Sequence, residues 1–483
     1  MRRLTPIVVI MSLLGLPPAF GQAPTLHNLP EMGDSSSTVL SAEDEKRIGK
    51  EMLRQLKASG AIIDDPIINE YIQRLGNRIA ANVGSSTTRF TFFVVDAGSI
   101  NAFAMPGGFI GVHAGLLLAS KSENEVASVI AHEIAHVTQH HIARGMQQAN
   151  KMNLPMTAAV IAAILLGGND PQVANAALAA ALGGSQQMQL NFTRANEHEA
   201  DRVGMQLLAA SDYDPRGMAD FFSRLQQESR YYENGMPEFL RTHPVTTDRI
   251  SEAQDRAKSY PLRRTVDSPY YALALARLHL RFSASPEVLL QQLKAASSAD
   301  ERLNESDMYL LALIYEKTGN ITASRDLYNK LLANAPERIA FIHGLAELES
   351  NRGNHGKAEE LYRKGLTRYP GNALLSLSLA ETLTRQRHFK QAREVLQQQI
   401  TNNSGGAEAY RLLAKLEASS GHPVASHLAQ AEYYYLSGEP HSALDQLNIA
   451  RRKNPQDLYH AARIDARLKQ IKDELERAEL LSQ

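Results

Sequence analysis

Residues 122–141 read SENEVASVIAHEIAHVTQHH, and the chain's reading turns on them. They contain H-E-x-x-H: His132, Glu133 and His136. Ser122 and Glu125 form S-x-x-E ahead of an apolar run, a capping-box pattern, so a helix should start near Ser122 and run to about Arg144. Positions four apart share a helix face. The imidazoles of His132 and His136 could therefore grip one metal ion, with Glu133 beside the position where a water would bind. Zinc suits such nitrogens, and iron, nickel or copper could also bind them. The bland alternative is a polar helix face.

A catalytic zinc needs a third protein ligand and an open position. The segment NFTRANEHEADRVGMQLL reads as a second helix in which Glu197 and Asp201 share a face and Glu199 points elsewhere. Glu197 could complete a His2Glu site. Asp201 could hydrogen-bond a ligand imidazole and orient it, and a direct proton-donor role is the second option. A charged, solvent-facing helix is the competing reading. His140, His141 and His198 have no partner readable in the sequence and are taken as structural or solvated.

Outward from this centre, SAEDEKRIGKEMLRQL and PIINEYIQRLGNRIAANV read as amphipathic helices. RFTFFVVD and GFIGVHAGLL read as strands, joined by AGSINAFAMPGG, where Pro106-Gly107-Gly108 makes a turn. A strand near Phe109–Val112 could pair with an extended substrate. Between the two metal-binding segments lie the apolar runs Met156–Gly168 and Val173–Gly184. Each is too short to span a bilayer and suits a helical pair that covers the cleft or touches a membrane surface, or an ordinary core hairpin.

From about Asn304 the chain repeats. Ala312, Ala346, Ala380 and Ala414 recur every 34 residues, and Gly319, Gly353 and Gly421 keep the same step, as do Pro336 and Pro370. That is the period of tetratricopeptide repeats, paired helices whose stacked array presents a concave surface suited to another protein. Gly438 falls 17 residues after Gly421, half a repeat, so one helix should stand where a pair is expected.

The first residues, MRRLTPIVVIMSLLGLPPAFGQA, give two arginines, an apolar run from Ile7 to Leu16 and small residues at Ala19 and Gly21, the pattern of a secretory signal peptide. There is no cysteine, so an exported protein would rely on no disulfide and carry no lipid anchor on sulfur. The net charge of −1 gives no footprint for nucleic acid. The expected location is the bacterial periplasm.

His132-Glu133-x-x-His136 followed by Glu197-x-x-x-Asp201 resembles the M48 metallopeptidases. Asn101–Leu117 is similar to the family's segment before the motif helix, and THPVTTDRI (Thr242–Ile250) to its later T-H-P…R-I segment; the likeness covers about Ser41 to Leu262. Signal, protease domain and repeats together look like the branch of periplasmic β-barrel assembly-enhancing proteases. The resemblance implies a mainly α protein: a zincin-like metalloprotease domain, helices plus a small β-sheet, followed by an α-solenoid of tetratricopeptide repeats. The expected division is 1–21 signal peptide, 22–40 linker, 41–265 protease domain with the 145–190 insertion over the cleft, and 266–483 repeats. It further implies one Zn2+ per chain on His132, His136 and Glu197, and peptide hydrolysis with Glu133 as base. His243 would stabilise the oxyanion or occupy the open zinc position; a structural histidine at a turn is the bland option. Implied partners are unfolded or stalled outer-membrane barrel proteins and the barrel assembly machinery, with possible peripheral membrane contact. The alternative is a chaperone or scaffold whose protease site is latent.

Overall fold

The computed structural model describes residues 40–84, 88–151, 194–228, 237–263, 265–296, 303–402, 404–453 and 458–480. The signal peptide, nearly all of the 22–40 linker and both apolar runs of the insertion lie outside them. Among the described residues no helix is long and apolar enough to cross a membrane.

Helices α1 (Ala42–Ala58) and α2 (Pro66–Ala80) come first, then β1 (Thr91–Val95), β2 (Ala102–Met105) and β3 (Phe109–His113). Side chains alternate across the sheet, as the two-residue period requires. Phe92, Val94, Ala102, Ile110 and Val112 enter the main core. Phe93, Val95, Met105 and Phe109 meet Leu56 of α1 on the other face. Gly111 is needed where it stands, because a side chain there would collide with Phe103 and Phe93.

The strand order is β1-β3-β2, with β1 parallel and β2 antiparallel to β3. This corrects two expectations. The Phe109–Val112 strand is central and has no free edge. The connector AGSINAFAMPGG contains a strand of its own, β2, and that strand lies at one edge of the sheet.

After α3 (Ala114–Ala119) comes the motif helix α4 (Glu123–Thr138), buried on nearly every side from Val126 to His136. It stops six residues short of Arg144. His140 takes a left-handed conformation (φ 51°), and α5 (His141–Lys151) starts in a new direction. The capping box is also displaced. Ser122 stands at the N-cap without a side-chain capping bond, and Glu125 accepts from Lys121 N–H instead. The Glu123 N–H is capped from far downstream by Asp267, and the Glu123 carboxylate accepts from the backbone and hydroxyl of Ser268.

α6 (Arg194–Ala210) lies along α4, with α7 (Arg216–Glu228) beside it. The approach is close because of Gly204: a Cβ there would press on the backbone of Ala131 and His132. Two short steps complete the domain, α8 (Glu238–Thr242) and α9 (Thr247–Lys258).

α10 (Pro269–Phe282) joins the two halves. Its Tyr271, Ala274 and Leu278 belong to the protease core, while Leu273 and Ala276 belong to the first repeat core. Asp65 at the start of α2 binds Arg277, which also donates to the Tyr309 hydroxyl. After α11 (Pro286–Ala296) the repeats run as α12 (Glu305–Lys317), α13 (Ile321–Asn334), α14 (Ile339–Asn351), α15 (His355–Arg368), α16 (Ala373–Arg385), α17 (Phe389–Thr401) and α18 (Gly406–Ser419). The recurring alanines are buried between paired helices. The turn glycines need their residue type, with φ of 81°, 83° and 83° at Gly319, Gly353 and Gly421; the equivalent third turn carries Arg387 at φ 62°.

At the slip in period, α19 (Pro423–Leu436) packs on α18 behind it and on α20 (Pro440–Lys453) ahead. The same left-handed glycine turn, at Gly421 and Gly438, leads out of α18 and α19, so α19 serves as second helix of one pair and first of the next. The Gly438 turn lies against the Arg54 side chain of α1, where any side chain would collide. α21 (Leu458–Leu480) covers the end of the array through Ile464, Leu468 and Ile471.

Candidate metal centre

His132 and His136 leave α4 one turn apart and meet Glu197 of α6 and His243, the residue that follows α8. All four are buried, and one ligand atom from each lies within 4.8 Å of the others. His132 Nε2 is 3.0 Å from His136 Nε2 and 3.3 Å from His243 Nδ1. Glu197 oxygens lie 3.5 Å from His132 Nε2, 3.5 Å from His136 Nε2 and 3.2 Å from His243 Nδ1. Four donors at about 2.0–2.1 Å in a tetrahedron around one ion would stand roughly 3.3 Å apart. The residues therefore fit a metal ion in spacing and in chemistry.

Each group is held from behind. Asp201 Oδ1 lies 3.0 Å from His132 Nδ1, while His136 Nδ1 is 2.9 Å from His141 Nδ1. His141 in turn meets Glu199, which also takes Arg144. Arg249, 2% exposed, forks onto Asp201 with two bonds of 2.8 Å. The same guanidinium reaches Glu197 at 2.8 Å and donates to the Pro244 carbonyl at 2.8 Å. It lies over the Phe222 ring, 4.9 Å from the centroid.

Charge follows from this packing. Burial opposes ionisation of Glu197, but His243 and His132 outweigh it and hold the carboxyl well below its ordinary range. Burial together with the His132 charge keeps His136 well below its usual value, hence neutral. His136 and Glu197 are thus in the state in which such groups bind a metal, whereas His132, lowered by burial but raised to about 9 by Asp201 and Glu197, must give up its proton to do so. Glu133 is the opposite case: burial pushes its pKa up, against the pull of His243 and His132. Glu133 Oε1 is buried with no hydrogen bond and lies 3.4 Å from His243 Nε2. The Ala104 backbone, on the edge strand β2, hydrogen-bonds this carboxylate.

All six site residues expected from the sequence thus converge: His132, Glu133, His136, Glu197, Asp201 and His243. Sequence reasoning missed His141, which is buried against His136, and the part played by Arg249. His198, 2.6 Å from Glu252, stays outside the cluster, and Glu199 turns away to His141 and Arg144.

The family model of peptidase family M48 matches residues 66–257, which enclose the whole cluster. Tetratricopeptide-repeat models match residues 308–338 and 351–416. A beta-barrel assembly-enhancing protease of Yersinia pestis is 36% identical over 331 residues, 68% of each chain. One from Escherichia coli strain K12 is 34% identical over 332 residues, 68% of this chain and 67% of that protein. The mitochondrial metalloendopeptidase OMA1 of Arabidopsis thaliana is 29% identical over 215 residues, 44% of this chain and 41% of that protein. The match thus spans about two thirds of the length of the bacterial relatives and about two fifths of the mitochondrial one. With the M48 match laid over the buried His-His-Glu cluster, the chain belongs to peptidase family M48 and is a metalloendopeptidase.

Proposed function

We propose that this chain is a zinc-dependent endopeptidase of the periplasm, working in outer-membrane quality control. It degrades misassembled β-barrel proteins and assists the assembly of others. The observation that carries the reading is the set of four donors at tetrahedral spacing beside a buried, hydrogen-bond-poor Glu133 Oε1. His132, His136 and Glu197 hold one Zn2+, the ion for which an imidazole and carboxylate set is well suited.

Zinc in such a site polarises the scissile carbonyl and acidifies water. Glu133 accepts a proton from the attacking water, a role for which its raised pKa suits it, and then gives that proton to the leaving amine. Asp201 and His141 orient the two imidazoles. The edge strand β2 lies beside Glu133 and takes an extended substrate by strand addition, with little demand on its sequence.

His243 closes the resting site. Its Nδ1 stands among the donors and its Nε2 faces Glu133, the space that water and a scissile carbonyl need. This placement also supports the second reading, a chaperone or scaffold with a latent protease. The division of the chain proposed from the sequence is kept: signal peptide 1–21, linker 22–40, protease domain 41–265 with the 145–190 insertion over the cleft or on the membrane surface, and repeats 266–483. The partners proposed are stalled barrel proteins and the barrel assembly machinery, on the strength of the relatives' names and of the repeats.

Zinc analysis of the purified protein tests the site. One zinc per chain is expected in the wild type and in Glu133→Gln, and loss of zinc in His136→Ala. Wild-type protein that binds no zinc from a zinc-buffered solution would end the proposal.

A further inference from the structure

Acidic side chains drawn into the repeats carry cations. Glu349 takes Arg325 and Lys357, Glu417 takes Arg393, and Glu432 takes Arg467. Glu381 takes Lys415 at 2.8 Å and Arg385 at 3.5 Å. Glu381 and Lys415 are one repeat apart, so that bond spans the neighbouring first helices α16 and α18. Among the first helices of the repeats, α14, α16 and α18 touch in turn, and Tyr309 of α12 packs its ring against Phe341 of α14, 5.5 Å between centroids, so the four form one row of the array's groove.

One step earlier on the same row the pattern fails. Among the described residues, no lysine or arginine stands within ion-pair distance of Glu347 on α14 or of Glu316 on the neighbouring α12. Arg277 lies nearby but is engaged by Asp65 and Tyr309. Lys317 is exposed and pairs with neither. Around the two acids lie buried polar groups without hydrogen bonds. His343 is 5% exposed, and its Nδ1, 3.5 Å from Glu347 Oε2, makes none. Burial keeps that imidazole below its usual pKa, hence neutral at pH 7. The fully buried Tyr328 hydroxyl, against Gly344, makes none either. Burial, then the field of Glu347, pushes Glu316 up to about 7. Glu347 thus lacks the cation that its counterpart one repeat on, Glu381, has in Lys415.

We infer that Glu316 and Glu347, with His343 Nδ1, form a subsite that takes a basic side chain, arginine above all, from a polypeptide lying along the repeats. A guanidinium offers five donors in a planar fork, enough for carboxylates on α12 and α14 and for the imidazole nitrogen one turn before Glu347 on α14. Half-burial strengthens such a contact relative to one on the open surface. The bound chain would thus be fixed in register at the start of the groove, beside the helix α10 that leads back to the protease core.

The test uses full-length protein carrying Glu133→Gln and a dye-labelled 20-residue peptide of glycine, serine and glutamine with three arginines. Its counterpart has citrulline, a neutral isostere, in their place. Fluorescence anisotropy should give about tenfold or more tighter binding of the arginine peptide. That advantage should vanish in Glu316→Gln/Glu347→Gln. It should persist in Glu360→Gln/Glu394→Gln, which removes the same charge from exposed positions on α15 and α17. Glu347→Gln alone, at an exposed position, repeats the test if the double variant folds poorly. Equal binding or no binding of the two peptides by the parent, or equal loss in both double variants, would overturn the inference.

Discussion

Arg249→Met should loosen the metal centre from behind. The side chain is buried and satisfies Asp201 twice, Glu197 once and the Pro244 carbonyl once. Methionine fills similar space but leaves two buried carboxylates short of a cation. Breaking a buried pair from one side costs about 3–5 kcal/mol. Asp201 keeps His132, and Glu197 keeps His132 and His243, so the lower end, about 3 kcal/mol, is expected. Hydrogen exchange at the α6 amides of metal-free protein reads this as a fall in local opening free energy. Zinc affinity, measured by chelator competition, should drop roughly 10–100-fold, as it does when a residue supporting a ligand is lost. Arg249→Lys should recover part of both, because one ammonium cannot reproduce the fork. A loss below about 1 kcal/mol, or identical behaviour of Met and Lys variants, would show that Arg249 does not hold the metal ligands in place.

Two further outcomes probe the repeats. Arg325, with Lys357 and Asn354, holds Glu349 down at about 2, against 4.5 for a free glutamate. A depressed carboxylate stabilises the folded state above its unfolded pKa, and that gain is lost as pH falls through the folded value. The Tm gap between wild type and Glu349→Gln should therefore be full at pH 6 and close between about pH 4.5 and 2; a gap independent of pH would contradict this. Arg387→Gly relieves a left-handed residue at a turn where the sister repeats use glycine, and should raise stability by up to about 1 kcal/mol in a urea melt. A loss would contradict it.

What the sequence made legible was whatever obeys a period. His132 and His136 lie one helical turn apart, as do Glu197 and Asp201, so spacing alone puts each pair on a shared face. The 34-residue alanine step did the same for the repeats. What it hid depends on contacts between distant segments. His141 reaches His136 because the helix breaks at His140, a residue type enriched in the left-handed region but not diagnostic of it. Ser122 is outcompeted as a cap by Asp267, which no local pattern announces. β2 is a four-residue strand, two of them alanine, ahead of a Pro-Gly-Gly turn, so its propensity is weak and its pairing with β3 decides. Arg249 stood in a recognisable segment, yet its partners on α6 lie 48 and 52 residues away in sequence.

The most direct test of the account is the cleavage rate of an unfolded barrel protein, normalised to bound zinc, for wild type, Glu133→Gln and His243→Ala. Slow cleavage is expected from wild type, none from Glu133→Gln with its zinc retained, and faster cleavage from His243→Ala. Cleavage that survives Glu133→Gln would contradict the assignment of the base and of the site.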